Sequence, residues 1–141
     1  MTGRMGPVVT QRQTCLSTLA HPWPQWINSK GQVIGSGDTS SGVHALFWDP
    51  KIGQMEDLGT LSGTYSDAWS INSNGRVAGR SETAGGLVHG FVWDSKNKTM
   101  QDLGTLSGGI ESGADDVNSR GWVVGYASDA GGYRQAVIWK P

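Results

Sequence analysis

The chain has 141 residues, a formal net charge of −1 and 22 glycines, and 36% of its residues are hydrophobic. Eleven basic residues nearly balance 12 acidic ones, which removes the positive surface that nucleic-acid binding needs, so we expect no nucleic-acid partner. Seven tryptophans supply apolar volume for a core, and the length fits a single domain over residues 1–141.

Residues 1–20 precede the repetitive part of the chain. Gln11, Arg12 and Gln13 stand where a secretory signal would be apolar, which favours a cytoplasmic protein. No stretch of the chain approaches the roughly 20 apolar residues of a membrane span, so we expect no membrane partner. Residues 7–19 have a β-like composition, and we predict that residues 1–20 contribute a strand that completes the last repeat.

Three repeats of about 45 residues follow, at residues 21–63, 64–108 and 109–141. Asn28, Asn72 and Asn118 are 44 and 46 residues apart. Two further residue types recur in the same register. They are Gly31, Gly75 and Gly121, and Trp48, Trp93 and Trp139.

Each repeat contains four predicted β-strands. In the second repeat they cover residues 68–72, 76–81, 87–93 and 100–106, separated by turns rich in Asn and Gly. Asn72 opens the first turn and Gly75 closes it, which predicts a turn with glycine at positive φ. No segment has a sustained helical period, so the fold class is all-β. The third repeat lacks a fourth strand of its own.

Four-stranded meanders of this length are typical of β-propeller blades, and rings usually need four to eight blades. We therefore predict three blades of a propeller that oligomerisation completes, most simply as a six-bladed dimer. A monomeric β-trefoil or β-prism is the alternative.

Gly35, Gly79 and Gly125 fall inside the second strand of each repeat, where glycine indicates that another backbone or a large ring approaches closely. A repeated tryptophan from a neighbouring sheet is one candidate to fill the space. Trp48, Trp93 and Trp139 are accordingly predicted to be core residues.

The repeat motifs resemble a known family. DLGTLSG occurs twice, and it is followed by IN-x-x-G-x-V-x-G and then by H-[AG]-x-x-W. This combination is similar to the HAF repeat of bacterial proteins, and it covers nearly all of the chain after about Pro24. The resemblance implies propeller-like β-repeats. It also implies an extracellular location, whereas the residues near the N-terminus favour a cytoplasmic one. It implies no catalytic residues.

Positions at which the repeats differ are the candidates for a binding site. The position two residues before the repeated Asn holds Trp26, Ser70 and Asp116. The position three residues before it holds Gln25, Trp69 and Asp115. If the first strand of each repeat lines a channel, these side chains meet at its mouth. Exposed tryptophan there can stack on a sugar or hold a cation. The residues that we single out are Trp26, Trp69, Gln25, Asp115 and Asp116, and core packing of the two tryptophans is the alternative.

No familiar catalytic or metal-binding motif occurs in the sequence. Asp57 and Asp102 occupy equivalent positions, as do His44 and His89, so we expect them to make local hydrogen bonds rather than a shared site. No catalytic residue, metal or cofactor is predicted. The sequence thus favours a non-catalytic binding module for a carbohydrate or a protein. A small lyase or hydrolase with its site at the channel mouth, and a purely structural repeat fragment, are the alternatives.

Overall fold

The structure is a computed structural model that describes residues 21–141. Within this range it contains strands and no helix, which confirms the all-β prediction. The eleven strands are β1 (Trp23–Ile27), β2 (Val33–Thr39), β3 (Gly42–Trp48), β4 (Met55–Asp57), β5 (Ser62–Ile71), β6 (Arg76–Thr83), β7 (Val88–Asp94), β8 (Thr99–Asp102), β9 (Ser112–Val117), β10 (Val123–Ser128) and β11 (Arg134–Trp139).

The strands form three successive antiparallel units. Unit 1 contains β1–β4, unit 2 contains β5–β8 and unit 3 contains β9–β11, and in each unit consecutive strands pair with one another. One parallel pairing, between Val43 and Tyr65, joins units 1 and 2 into a mixed sheet. The strand that we predict to complete unit 3 falls in residues 1–20, outside the described range.

The turn between the first two strands of each unit is built as predicted. The Asn72 side-chain oxygen accepts hydrogen bonds from the backbone N–H groups of Asn74 and Arg76, at 3.0 and 2.8 Å. The Gly75 N–H donates to the Asn72 carbonyl, and Gly75 has a φ of 78°, which glycine adopts without strain. Asn28 and Asn118 make the same pair of bonds.

The first strand of every unit carries a β-bulge at the same place. Gln25, Trp69 and Asp115 are skipped in the pairing with the second strand. A bulge leaves one residue unpaired and re-aims its side chain. All three bulged positions are among the predicted site residues.

The glycines opposite these bulges decide between the two close approaches that the sequence allowed. A Cβ on Gly79 would lie far inside van der Waals contact with the Asp67 carbonyl oxygen, and the same holds for Gly35 against Trp23 and for Gly125 against Gly113. The adjacent strand's backbone, and not a tryptophan from a neighbouring sheet, occupies the space. The bulge draws that backbone close, so only glycine fits.

The fourth strand is shorter than predicted. In unit 2 it ends at Asp102, whereas the sequence predicted residues 100–106. The Asp102 carboxylate accepts a hydrogen bond from the Gly104 N–H at 2.7 Å, and Gly104 has a φ of 68°. This local turn removes the chain from the sheet before Leu106.

The core lies between units rather than inside them. We call the side of a unit that faces the preceding unit its front face, and the side that faces the following unit its back face. The first core cluster joins the back face of unit 1, including Ile34 and Phe47, to the front face of unit 2, including Ile71, Val77 and Trp93. A second cluster joins units 2 and 3 in the same way, with the following members: Ala78, Val92, Leu103, Ala114, Val117, Val123 and Trp139.

The repeated tryptophans are front-face residues. Trp93 is buried, and its ring lies 5.1 Å from that of Phe47, which confirms its predicted core role. Trp139 is half-buried and donates from Nε1 to the Leu103 carbonyl of unit 2, at 3.1 Å. Trp48 is half-buried too, and its Nε1 is shielded from solvent without a hydrogen-bond acceptor.

Polar side chains fix each junction. Asn28 Nδ2 donates to the Asn72 carbonyl, and Asn72 Nδ2 donates to the Asn118 carbonyl, both at 2.9 Å. Buried Ser66 accepts from the Ala45 N–H of unit 1, and Ser112 accepts from the Gly90 N–H of unit 2. Each following unit is thereby aligned with the one before it.

The bulge geometry predicts that Gly79→Ala lowers the free energy of unfolding by about 3 kcal/mol, because the added Cβ must push two strands apart. Denaturant unfolding at equilibrium measures the change. Gly85→Ala is the matched control, since the nearest atom to its Cβ would be 3.9 Å away, and we expect a change within about 0.5 kcal/mol. Equal effects of the two variants would contradict this account of the bulge.

Candidate functional site: a bulge cluster on the first strands

A group of polar and aromatic side chains gathers where the first strands of units 1 and 2 lie side by side. We call it the bulge cluster, and its members are Gln25, Tyr65, Asp67, Trp69 and Arg80. Gln25 and Trp69 are bulged residues, whereas Tyr65 and Asp67 point from β5 and Arg80 points from the paired strand β6. The bulges are therefore what brings side chains from two units together.

Asp67 is the centre of this cluster. Its carboxylate accepts from Gln25 Nε2 at 3.0 Å, from Ser36 Oγ at 3.1 Å and from Trp69 Nε1 at 2.8 Å. The Tyr65 hydroxyl approaches it at 3.4 Å. A carboxylate that accepts several bonds has a fixed orientation, and so do the donors around it.

Arg80 adds a cation beside the carboxylate. Its guanidinium lies 4.8 Å from the Trp69 ring centroid and 5.7 Å from that of Tyr65, within the range of cation–π attraction. Its Nε is buried, and no hydrogen-bond acceptor for it lies among residues 21–141. Arg80 thus stacks on two rings while part of its hydrogen-bonding capacity stays unused.

Tyr65 has a perturbed acidity. Burial, and then the negative charge of Asp67, raise the pKa of the Tyr65 hydroxyl above its usual value, although Arg80 opposes the change. The phenol is therefore neutral at ordinary pH and can act as a hydrogen-bond donor.

The remaining predicted site residues do not bond to Asp67. Trp26 is 60% exposed and lines an open groove of about 410 Å³ with Pro24, Gln25, Ile27 and Val33, so this groove borders the bulge cluster at Gln25. Asp116 accepts a hydrogen bond from Ser70 Oγ, and Asp115 is exposed at the third bulge. Of the five predicted residues, the structure brings Gln25 and Trp69 together around Asp67.

The acidic residues of unit 3 do not converge. Glu111 pairs with Arg134 at 2.7 and 3.0 Å, and the Arg134 guanidinium lowers the pKa of that carboxyl. Among residues 21–141, no group of three His, Cys, Asp or Glu side chains is arranged to hold a metal ion.

Sequence reasoning did not identify Asp67, Arg80 or Tyr65. A signal for Asp67 was present, because its equivalents in the other repeats are Trp23 and Gly113, so the three copies differ there. Arg80 and Tyr65 reach the cluster only through strand pairing and the twist of β5, and no repeat comparison indicates that contact.

A hydrogen-bonded Ser–His–Asp chain lies elsewhere in unit 1, although no catalytic motif marks it in the sequence. His44 Nδ1 contacts the Asp57 carboxylate at 2.9 Å, and His44 Nε2 lies 3.3 Å from Ser41 Oγ. His89 and Asp102 make the equivalent pair in unit 2 at 3.0 Å, without a serine. The local hydrogen bonding expected of these His and Asp residues is confirmed, and the serine is particular to unit 1.

No family model matches the chain, and no curated protein sequence matches it. The chain is similar in structure to TolB from Acinetobacter baumannii, with a TM-score of 0.62 and 14% sequence identity. That similarity covers 86% of this chain and 30% of the TolB chain, so the protein spans about a third of its structural neighbour. TolB contains a β-propeller, and the similarity indicates a propeller-like all-β fold.

Residues 21–141 contain no helix that is long and apolar enough to cross a membrane.

The Tyr65 environment predicts that one of the three tyrosines ionises above the usual pKa of about 10. Because the folded state favours the neutral phenol, the stability that Tyr65 contributes is complete below pH 10 and is lost as pH rises through the raised pKa. Near-ultraviolet titration should show this late phenol in the native protein and not in Tyr65→Phe. Tyr133→Phe, at an exposed turn, is the control that should retain it.

Proposed function

We propose that this protein is a non-catalytic binding module built from propeller-like β-repeats, and that the bulge cluster binds a carbohydrate. The observation that carries the proposal is the Asp67 carboxylate held by Gln25, Ser36 and Trp69 beside the stacked Arg80. A protein ligand is the alternative.

Carbohydrate recognition needs two kinds of group that the bulge cluster combines. Planar, oriented polar groups exchange hydrogen bonds with sugar hydroxyls, and aromatic rings pack against the apolar face of a sugar ring. Gln25, Asp67 and Arg80 are the planar polar groups, and Trp69 and Tyr65 are the rings. Their mutual hydrogen bonds hold them in place before a ligand arrives, which reduces the entropy lost on binding.

The sequence resemblance to the HAF repeat fits a module of this kind. Its implied extracellular location would place the site where glycans are abundant. The TolB similarity supports the propeller-like architecture alone.

The carbohydrate assignment predicts that the protein binds members of a broad glycan array, and that the best of them changes tryptophan fluorescence. Trp69→Ala should weaken binding at least tenfold, because it removes the ring and one of the donors that orient Asp67. Isothermal titration calorimetry on the selected glycan gives the affinities.

Tyr133→Ala is the matched control, because Tyr133 is an exposed aromatic residue at a turn of unit 3, and its affinity should equal that of the native protein. Absence of binding across the array would refute the carbohydrate assignment. Equal weakening by Trp69→Ala and Tyr133→Ala would refute the placement of the binding site at the bulge cluster.

A second candidate function rests on Ser41, His44 and Asp57. With Nδ1–H donated to Asp57, His44 Nε2 is free to accept the Ser41 proton, which is the arrangement of a serine hydrolase. The equivalent pair His89–Asp102 has no serine, which favours a structural role for both pairs.

A fluorophosphonate probe separates the two functions. The binding-module proposal predicts no covalent labelling of the native protein. Labelling that Ser41→Ala abolishes and Ser128→Ala preserves would favour the hydrolase, since the buried Ser128 hydroxyl accepts from the backbone N–H groups of Ile110 and Glu111 instead of facing a histidine.

A further inference from the structure

The two ends of the three-unit stack expose apolar sheet faces. At one end, Ile27 on the front face of unit 1 is 62% exposed, and Val33 and Trp48 on the same face are half-buried. At the other end, Val124 and Ile138 of unit 3 are 49% and 54% exposed. Adjacent apolar side chains with this exposure are typical of interaction surfaces.

The exposed face of unit 3 is its back face. Val124 is equivalent in register to Ile34 and Ala78, which are buried in the two junctions inside the chain. Ile138 is equivalent to Phe47 and Val92, which pack in the same junctions. Unit 3 therefore presents the surface that units 1 and 2 use to hold the next unit.

The exposed face of unit 1 is its front face. Ile27 is equivalent to Ile71 and Val117, which are 5% and 4% exposed because a preceding unit covers them. Leu46 lies on the same front face of unit 1 and is buried. The exposed part of that face is therefore the half that contains Ile27, next to the Asn28 turn. Val124 and Ile138 lie in the corresponding half of unit 3.

The asparagine bonds point to the same pair of surfaces. Asn28 and Asn72 each donate from Nδ2 to the backbone carbonyl of the next asparagine. Within the described residues, Asn118 Nδ2 has no such acceptor, and the Asn28 carbonyl accepts no bond of this type. Among these residues, the series thus leaves one donor, Asn118 Nδ2, at the unit 3 end of the stack. It leaves one acceptor, the Asn28 carbonyl, at the unit 1 end.

We propose that the back face of unit 3 binds the front face of unit 1 of a second copy of this chain, and that two such junctions close a ring of six units. A single chain offers both halves of the junction, so the partner needs no other surface. Two copies together supply six units, which falls within the usual four to eight of a propeller ring. A two-fold axis makes the two junctions identical.

The proposed junction repeats the contacts of the internal ones. Ile138 takes the place of Phe47 and packs near Ile27 and Trp48 of the second copy, as Phe47 packs near Ile71 and Trp93. Asn118 Nδ2 donates to the Asn28 carbonyl of the second copy. The formal net charge of −1 per chain leaves little repulsion between the copies.

Sedimentation equilibrium tests the stoichiometry. We expect twice the chain mass of 15.0 kDa, and we expect Ile138→Asp to return the protein to a single-chain mass because it buries an unpaired carboxylate. Ile52→Asp is the matched control and should remain paired, since Ile52 is 61% exposed in the loop after β3 and belongs to neither end face. A native single-chain mass, including one in which residues 1–20 cover the faces, overturns the proposal, and so do larger open assemblies.

Cross-linking tests the orientation of the two copies. In a Cys15→Ser background, the double variant Ile27→Cys/Ile138→Cys should form a disulfide-linked pair on mild oxidation. Either single cysteine variant should not, because front faces do not meet front faces in this arrangement. A cross-linked pair from Ile27→Cys alone, or a paired mass without cross-linking in the double variant, overturns the head-to-tail junction.

Discussion

The hydrogen bond from an asparagine side chain to the backbone carbonyl of the next asparagine is the interaction on which the stacking of units depends. The same side chain performs two tasks. Its oxygen closes the turn between the first two strands of its own unit, and its nitrogen bonds the corresponding turn of the next unit. Local folding and the alignment of units are therefore linked through one residue type, at Asn28 and Asn72. Apolar side chains of units 1 and 2, among them Phe47, Ile71 and Trp93, then pack together in that geometry.

The bulge on the first strand connects architecture to the candidate site. It is required three times by the fold, and each time a glycine on the second strand makes room for it. Because its side chain is freed from regular pairing, the bulged position can vary without loss of the sheet. Gln25, Trp69 and Asp115 are the result, and the first two meet at Asp67. The same bulge occurs in every unit, but the residue at the bulge differs, so the chemical environment around Asp67 occurs once.

The predictions that succeeded concern features with a short-range cause. The Asn–Gly turns, the all-β class and the pairing of consecutive strands follow from turn chemistry and strand composition within each repeat. At Gly79 the sequence left a backbone and a large ring as alternatives, because a bulge in a neighbouring strand leaves no pattern in the residues around the glycine, and the structure shows the backbone. The fourth strand was overextended, since the side-chain bond of Asp102 to Gly104 outweighs the strand propensity of the Leu and Thr residues that follow. The contact of Arg80 with Trp69 depends on strand register, which the spacing of repeats does not specify.

The sequence by itself determined the repeat, its length and the positions of its turns, because these depend on residues close together in the chain. It also identified the places at which the copies differ. Only the tertiary structure decided which of those places meet. Gln25 and Trp69 share the Asp67 carboxylate, whereas Trp26 and Asp115 remain apart, because contact between units depends on how the sheet faces pack and where the bulges direct each side chain.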